Sequence, residues 1–278
     1  MRSGNGPMTL WITGASSGLG KATALAAQAA GHQVIAGARS FRQGNELPGV
    51  VCLPLDVRSE ESIAKFRQAA LEISPRVDGL IQCAGMLVLG SCEETSLEEY
   101  HSILDTNFLG MVRMNQAVLP LMRAQGSGKI LLFSSVNGLL GVPFQSAYVA
   151  SKHAVEGYAE CLQLECVPYG ISVCLIEPGD HRSGSDAYRL HARGMTDQSP
   201  YAAEFSNTTA IIHRDESRGG DADQLGRRVV RLLRRKRLPF RKPIVRLDER
   251  LAILLHTLAP MGLQSRILRS HYMAKMPK

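Results

Sequence analysis

Aromatic residues are scarce in this sequence, making up 5% of its 278 residues with a single tryptophan. So few π faces leave little for stacking nucleic-acid bases, and no base-reading motif accompanies them. Long apolar runs are missing as well. None reaches the roughly 18 residues that would span a bilayer, and residues 1–7 lack the apolar core of a secretion signal, so a cytoplasmic protein is expected. The six cysteines, at 52, 83, 92, 161, 166 and 174, include no C-x-x-C pair, and no histidine cluster has zinc spacing. They read as buried thiols in a reducing compartment, with no metal site. Disorder has no compositional footing either, since 45% of the chain is hydrophobic and 21% charged, enough for a sizeable core.

What the chain does have is alternation. A short apolar strand at 10–12 runs into Thr13, Gly14, Ala15, Ser16, Ser17, Gly18, Leu19, Gly20, then an alanine-rich helix over 22–30 that stops at Gly31. Strands follow at 34–36 and 50–55, an amphipathic helix at 60–71 and a strand at 79–83. A helical stretch over 97–124 can be interrupted by Gly110. Another strand spans 129–134, the helix around Tyr148 stops near Pro168 and Gly170, and a sixth strand spans 171–176. Strand alternating with helix predicts an α/β fold with a doubly wound parallel sheet and helices on both faces. Past Gly179 the chain is polar and poorly periodic from 180 to about 220, too long for a simple connection, and reads as a functional lid. Helical spacing resumes over 221–237, with an edge strand at 244–245 and a terminal helix at 251–258.

A glycine turn between the first strand and first helix is where such a sheet binds a dinucleotide. Gly14 would permit the tight turn, Gly18 the approach of pyrophosphate, and Gly20 close packing of helix on strand, with the helix N-terminus facing the anion. At the end of the second strand, where an acid would accept from a ribose 2′-hydroxyl, the chain has Ala38 and then Arg39. A guanidinium fork suits a 2′-phosphate, which favours NADP(H); the alternative is a plain surface charge. Asp56 sits where it could accept from the adenine amino group, or could cap the next helix.

Tyr148 and Lys152 are four residues apart, so on a helix they share a face, and an ammonium there would favour the phenolate. Together with Gly14, Gly18 and Gly20, with Ala84 and Gly85 after the fourth strand, with Asn107, with Ser135 thirteen residues before Tyr148, and with Pro178 and Gly179, these residues resemble the short-chain dehydrogenase/reductase family over nearly the whole chain. The resemblance implies a single Rossmann-type domain over 1–278, mainly dinucleotide-binding over 8–145, with the catalytic helix, lid and C-terminal elements over 146–278. It implies that Tyr148 is the general acid or base, that Ser135 holds the substrate oxygen, that Lys152 binds the nicotinamide ribose and lowers the Tyr148 pKa, and that Asn107 holds a water leading to Lys152. The cofactor-binding set is then Gly14, Ser16, Ser17, Gly18, Leu19, Gly20, Arg39, Asp56, Val57, Cys83, Ala84, Gly85, Tyr148, Lys152, Pro178, Gly179 and Ser183.

Two departures from the family pattern stand out. Gln82 and Cys83 replace a pair of asparagines, the second of which braces the central strands. After Pro178 and Gly179, Asp180, His181 and Arg182 precede Ser183, the nearest equivalent of a threonine that meets the nicotinamide carboxamide. Within the family the segments 105–110, 128–130, 134–138 and 141–144 most resemble 17β-hydroxysteroid and retinol dehydrogenases. They imply an apolar alcohol or ketone, with Ser135, Val136, Val142, Phe144 and Tyr148 around the substrate; Val136, Val142 and Phe144 could equally be packing.

The formal charge is +7, concentrated in Arg227, Arg228, Arg231 and Arg234 to Arg237, with Arg241 and Lys242 beyond. A solvated helix face is the commoner meaning of such a run; an anionic membrane surface, reached with 251–258 and 261–263, is the sharper one, and nucleic acid is disfavoured. Arg189, His191 and Arg193, with His181 and Arg182, read as exposed lid residues, the alternative being that they meet an acidic substrate. The expected activity is NADP(H)-dependent interconversion of a secondary alcohol and a ketone on an apolar, steroid- or retinoid-like substrate by a homo-oligomer. A reductase of acyl or secondary-metabolite substrates and a non-catalytic NADP(H) sensor are the alternatives.

Overall fold

Successive side chains on a strand point to opposite faces. In the first strand Leu10 and Ile12 point one way and Trp11 the other, and all three are fully buried. A strand apolar on both faces belongs inside a sheet covered by helices on each side. The computed structural model, which describes residues 6–42, 47–184 and 189–273, has that arrangement. Strands β1 (Thr9–Thr13), β2 (Gln33–Ala38), β3 (Val51–Pro54), β4 (Gly79–Gln82), β5 (Gly128–Phe133), β6 (Ile171–Pro178) and β7 (Arg241–Ile244) form one parallel sheet in the order β7-β6-β5-β4-β1-β2-β3. The order reverses between β1 and β4, and the crevice beyond their carboxyl ends is where such sheets bind ligands.

The helices are α1 (Gly18–Ala29), α2 (Glu60–Ile73), α3 (Leu97–Leu104), α4 (Gly110–Gln125), α5 (Ser146–Cys166), α6 (Ala202–Ser217), α7 (Ala222–Leu233), α8 (Leu247–Leu258) and α9 (Met261–Tyr272). Helices α1 and α7 cover one face, where Leu225, Val229 and Leu233 meet Ala24, Ile12 and Ile176; α2, α4 and α5 cover the other, where Phe66 meets Trp11 edge to face at 5.5 Å. Their ends follow local chemistry. Ser59 accepts from the Ser62 amide to start α2, Ser96 and Glu99 form a reciprocal capping box on α3, and α4 stops at Gly126 in the left-handed region.

Gly110 does interrupt the long helical stretch, through a π turn at Asp105–Leu109 in which the Gly110 amide donates to the Asp105 carbonyl. Glycine is needed there because a Cβ would stand 2.6 Å from Val57 Cγ2. The turn carries Asn107 into the interior, fully buried.

The lid differs most from expectation. Residues 202–217 are a helix, anchored sparsely by Phe205, Thr208 and Ile212 at three- and four-residue spacing. Helix α8 begins four residues earlier than predicted, because Glu249 folds back to accept from the Arg246 amide at 2.6 Å, and α9 was not predicted at all. The arginine-rich end of α7 lies away from these helices. Lys129 at the start of β5 donates to the carbonyls of Leu233 and Arg235, at 2.5 and 2.8 Å, whereas α8 docks beyond the carboxyl end of β6. The cysteines form no disulfide; Cys52, Cys166 and Cys174 are buried, Cys83 partly so, but Cys92 and Cys161 are exposed, contrary to the expectation of burial throughout.

One buried polar network ties α5 to the sheet. Arg241 of β7 pairs with Glu156 of α5, with Glu177 of β6 at 2.7 Å and with Glu160 at 2.9 Å. Burial raises the Glu177 carboxyl above its usual range, and the Arg241 hydrogen bond pulls it back. Arg241→Ala leaves Glu156 and Glu177 facing each other without a cation. The expected loss at neutral pH is about 3 kcal/mol, the low end for breaking a buried pair because the guanidinium is 35% exposed. With Glu177 raised further, the folded variant binds more protons than its unfolded chain, so its stability falls as pH rises. Urea titrations at about pH 5 and pH 8 should show the larger deficit at the higher pH.

Candidate active site

At the switch point β1 ends in Thr13, and the chain turns through Gly14, whose φ of 68° only glycine adopts readily. A Cβ on Gly14 would lie 2.5 Å from the Ala84 amide, and one on Gly20 only 2.2 Å from the Gly14 carbonyl oxygen. These contacts are the tight turn and close helix packing expected of the two glycines. Gly18 is also left-handed, at 54°, and faces the backbone of Ser183. Ser17 begins α1 with no side-chain capping bond, and no acid stands in the first turn, so the first amides of the helix suit an anion. Ser16 is exposed and Leu19 half-buried beside them. A cradle that any side chain would fill, opening on a helix N-terminus, fits a dinucleotide.

Arg39 stands exposed just past Ala38, and its charge reaches Asp56. Asp56 is held below its usual pKa mainly by Arg58, whose Nε and Nη2 donate to it at 3.2 and 3.0 Å. It is not the cap of α2; Ser59 is. A carboxylate has more lone pairs than Arg58 uses, so Asp56 can still accept from an amino group. Val57 is buried, its side chain against Gly110.

At the end of β4 the first departure, Gln82 and Cys83, is well accommodated. Gln82 donates to Asn115 at 2.7 Å, and Asn115 donates to the Tyr158 hydroxyl at 3.1 Å, a buried chain joining sheet, α4 and α5. Thr13 braces the neighbouring strand ends: its carbonyl accepts from the Cys83 amide at 3.2 Å and its hydroxyl from the Ala84 amide at 3.3 Å. Burial pushes the Cys83 thiol far above its ordinary pKa, so it behaves as a small apolar group. Gly85 lies beside Asn107 Oδ1 and Lys152 Nζ, at 3.4 and 4.0 Å from where its Cβ would be.

Asn107, Ser135, Tyr148 and Lys152 are brought together by α5, the π turn and the end of β5. Ser135 Oγ accepts from the Asn137 amide at 3.1 Å, which leaves its own proton free to donate, and it stands near enough to the Tyr148 hydroxyl to pull that group's pKa down. Lys152 is buried, donates to the Phe133 carbonyl at 2.8 Å, and lies 5.5 Å from the Tyr148 ring centroid. Asn107 accepts from the Met86 amide at 2.7 Å and donates to the Met86 carbonyl and to Ser151 Oγ, at 2.9 and 3.0 Å. Both of its N–H protons are thus used in bracing, and Ser151 passes the brace on by donating to the Tyr148 carbonyl at 2.7 Å.

The electrostatics reverse one expectation. The Tyr148 pKa is not lowered by the protein's own groups: burial pushes it up to about 12, and Ser135 only partly offsets this. Burial instead lowers Lys152 to about 8, against the pull of Cys83 and Glu156. Desolvation penalises both charged forms, and it outweighs a cation held over the ring rather than at the hydroxyl.

The lid residues also correct the sequence reading. Arg182, His191 and Arg193 are exposed, but His181 is buried with Nδ1 2.9 Å from the Gly179 carbonyl. The Arg189 side chain is buried too, its Nη2 donating to both oxygens of Glu216 at 2.5 Å, and both charges are felt at Tyr148. Sequence gave no warning, because an arginine in a polar segment looks solvated. Gly179 and Asp180 are covered by Glu249, which accepts from the Asp180 amide at 2.7 Å; burial, then Glu249, raises the Asp180 carboxyl to about 7. Pro178 ends β6 buried, and Ser183 is partly exposed over Gly18.

Val142 is buried with Leu140 and Ile212, and Val136 packs on them with Ile253, Leu268 and Tyr272. These side chains form an apolar wall shared by the Ser135 turn, α6, α8 and α9. Phe144 points elsewhere, edge-on to Phe205 at 5.4 Å. A pocket of about 560 Å³ lies on the outer side of α5, between Val149, His153 and Leu268, and not at Tyr148.

The profile of the short chain dehydrogenase family matches residues 8–192. The chain belongs to that family. It is an oxidoreductase of CH–OH and carbonyl groups. It is 38% identical to the 3-ketodihydrosphingosine reductase of Bacteroides thetaiotaomicron over 238 residues, 86% of this chain and 88% of that protein. Over 127 residues, 46% of this chain and 38% of the other, it is 45% identical to human 17-beta-hydroxysteroid dehydrogenase type 1. An alcohol dehydrogenase of Thermococcus sibiricus, solved with 5-hydroxy-NADP, superposes with a TM-score of 0.70 at 25% identity, covering 87% of this chain and 97% of that one.

The depressed Lys152 pKa has a measurable consequence. The unfolded chain holds this proton up to about pH 10.5 and the folded chain only to about 8, so this group destabilises below pH 8 and ceases to do so as pH rises through 10.5. The wild type should gain about 3 kcal/mol from it across that window, and Lys152→Met should lack the gain. Denaturant midpoints at the two ends of the range check this.

Proposed function

We propose that this protein reduces a ketone on an apolar, lipid-like substrate to the secondary alcohol with NADPH, and runs the reverse oxidation with NADP. The carrying observation is the Ser135–Tyr148 hydroxyl pair backed by buried Lys152 and flanked by the apolar wall of Val136, Leu140, Val142 and Ile212. The glycine turn, Ser183, Lys152 and the α1 amides hold the nucleotide, which supplies hydride when bound. Tyr148, high in pKa and therefore protonated at neutral pH, gives its proton to the carbonyl oxygen. Ser135, which accepts from the Asn137 amide on one lone pair, donates its proton to the same oxygen and stabilises charge developing there. Lys152, near 8, exchanges its proton close to neutral pH and restores that of Tyr148. Asn107 is a positioning residue that fixes α5 through Ser151.

Arg39, where an acid would select a free ribose hydroxyl, supports NADP(H). The Bacteroides relative makes 3-ketodihydrosphingosine the first ketone to try, ahead of steroids, retinoids and acyl ketones. Exposed Leu109, Leu164, Val167 and Tyr169 on the α4–α5 side support pairing of copies there as a homo-oligomer.

NADPH absorbance followed with these ketones tests the reading. Tyr148→Phe should lower kcat by about a thousandfold or more, and Ser135→Ala by roughly a hundredfold, with nucleotide binding retained. Arg39→Asp should raise the KM for NADPH about tenfold or more while sparing NADH. Tight NADPH binding without turnover of any ketone or alcohol would turn the reading toward a nucleotide sensor.

A further inference from the structure

Helix α8 carries Leu247, Leu251, Leu254, Leu255 and Leu258, a spacing that places all five on one stripe of the helix. In a folded chain such a stripe normally faces the core. Here it faces outward: Leu247 is 85% exposed, Leu258 74%, and Met261, first residue of α9, 74%. The inward sides of the pair are satisfied, since Ile253, Leu268 and Tyr272 pack on Val136, Leu140, Val142 and Ile212. Nor is the pair loosely joined, because Gln264 Nε2 donates to the carbonyls of both His256 and Ala259 at 2.7 Å and fixes the angle between the helices. The exposed stripe is therefore a pre-formed surface and not an unpacked core.

Charge identifies what fits it. Glu249 is the last acidic residue of the sequence; from Arg250 to the end there are arginines and lysines and no Asp or Glu. Arg250 is exposed beside the stripe on α8, and Arg266 and Arg269 are exposed on α9. The two acids at the head of α8 are already engaged: Asp248 takes the Arg246 guanidinium, and Glu249 takes the amides of Arg246 and Asp180. A second copy brought face to face would set arginines against arginines, whereas acyl chains and anionic headgroups complement both the stripe and its border. Among the described residues no helix is long and apolar enough to cross a membrane. We propose that the outer face of α8 and α9 docks flat on an anionic lipid bilayer. Because the same two helices complete, on their inner side, the apolar wall that begins at Val136 beside Ser135, docking sets that side of the protein against the lipid phase. The arginine-rich end of α7, held by Lys129 at the opposite, amino-terminal end of the strands, takes no part.

The test is flotation of the full-length protein with vesicles of phosphatidylcholine, with and without about 30% phosphatidylserine. Wild type should float with the anionic vesicles, bind pure phosphatidylcholine weakly, and lose most of its preference at about 0.5 M salt. Leu251→Glu combined with Leu258→Glu should bind at least tenfold less while keeping its melting temperature and its turnover of a water-soluble ketone, since both side chains point away from the core. Arg266→Glu with Arg269→Glu should remove the preference for phosphatidylserine. The proposal is overturned if wild type does not float with anionic vesicles, or if the leucine double variant floats equally well. It is overturned too if light scattering shows the stripe holding two copies together, the leucine variant being half the mass of wild type. Flotation is read without turnover, so its failure leaves the proposed reduction standing, and the reverse.

Discussion

An amine has been placed where water is not. Lys152 sits inside the molecule against the last carbonyl of β5, and the surrounding structure can be understood as what makes that position tolerable. The Phe133 carbonyl takes one proton, the polarisable Tyr148 ring lies to one side, and Glu156 stands one turn further along α5. Glu156 is itself buried and is held by Arg241, which also answers Glu177. A cation in the site thus depends on an anion behind it, and that anion on an arginine from the edge strand. Removing charge from either end leaves an unmatched partner in the interior, which is the costly outcome for buried ions.

The same desolvation sets the order of proton affinities. With Tyr148 driven up and Lys152 driven down, the phenol stays protonated and the amine is the readier of the two to exchange. That order suits a group that must hand a proton to a carbonyl oxygen. Using Tyr148 as a base asks for more positive potential at its hydroxyl than Lys152 delivers from over the ring face. Arg189 supplies some of it, and its partner Glu216 works against it.

Much of this was legible in the sequence because it rests on local rules. Gly14 and Gly20 are dictated by backbone geometry, the strands by two-faced burial, and the Tyr148–Lys152 pair by helix spacing. The parts that escaped are those decided by long-range contacts. Helix α6 holds on with three inward side chains in a polar segment, too few to stand out as a period. Arg189 is a buried ion that meets Glu216, 27 residues further along the chain. The side chain of Asn107 turned out to brace Met86 and Ser151, a use that depends on the π turn and not on the residue's neighbours. The basic run of α7 and the apolar stripe of α8 are close in sequence, yet β7 intervenes and delivers them to opposite ends of the sheet.

The loop between β5 and α5 shows how lid and catalytic helix are joined. Phe144 is the one non-glycine among the described residues with positive φ, at 61°, a conformation costing roughly 1–3 kcal/mol for a bulky side chain. Its carbonyl accepts from the Gly90 amide at 2.9 Å, its ring packs edge-on against Phe205 of α6, and Phe205 meets His191 in turn. The strain persists because these contacts lie on both sides of it. Two residues later Ser146 begins α5, bonded through its hydroxyl to Tyr100 at 2.5 Å, and Tyr148 follows. A displacement of α6 would therefore pull on Phe144 through Phe205, and through Phe144 on the first turn of α5, which carries Tyr148.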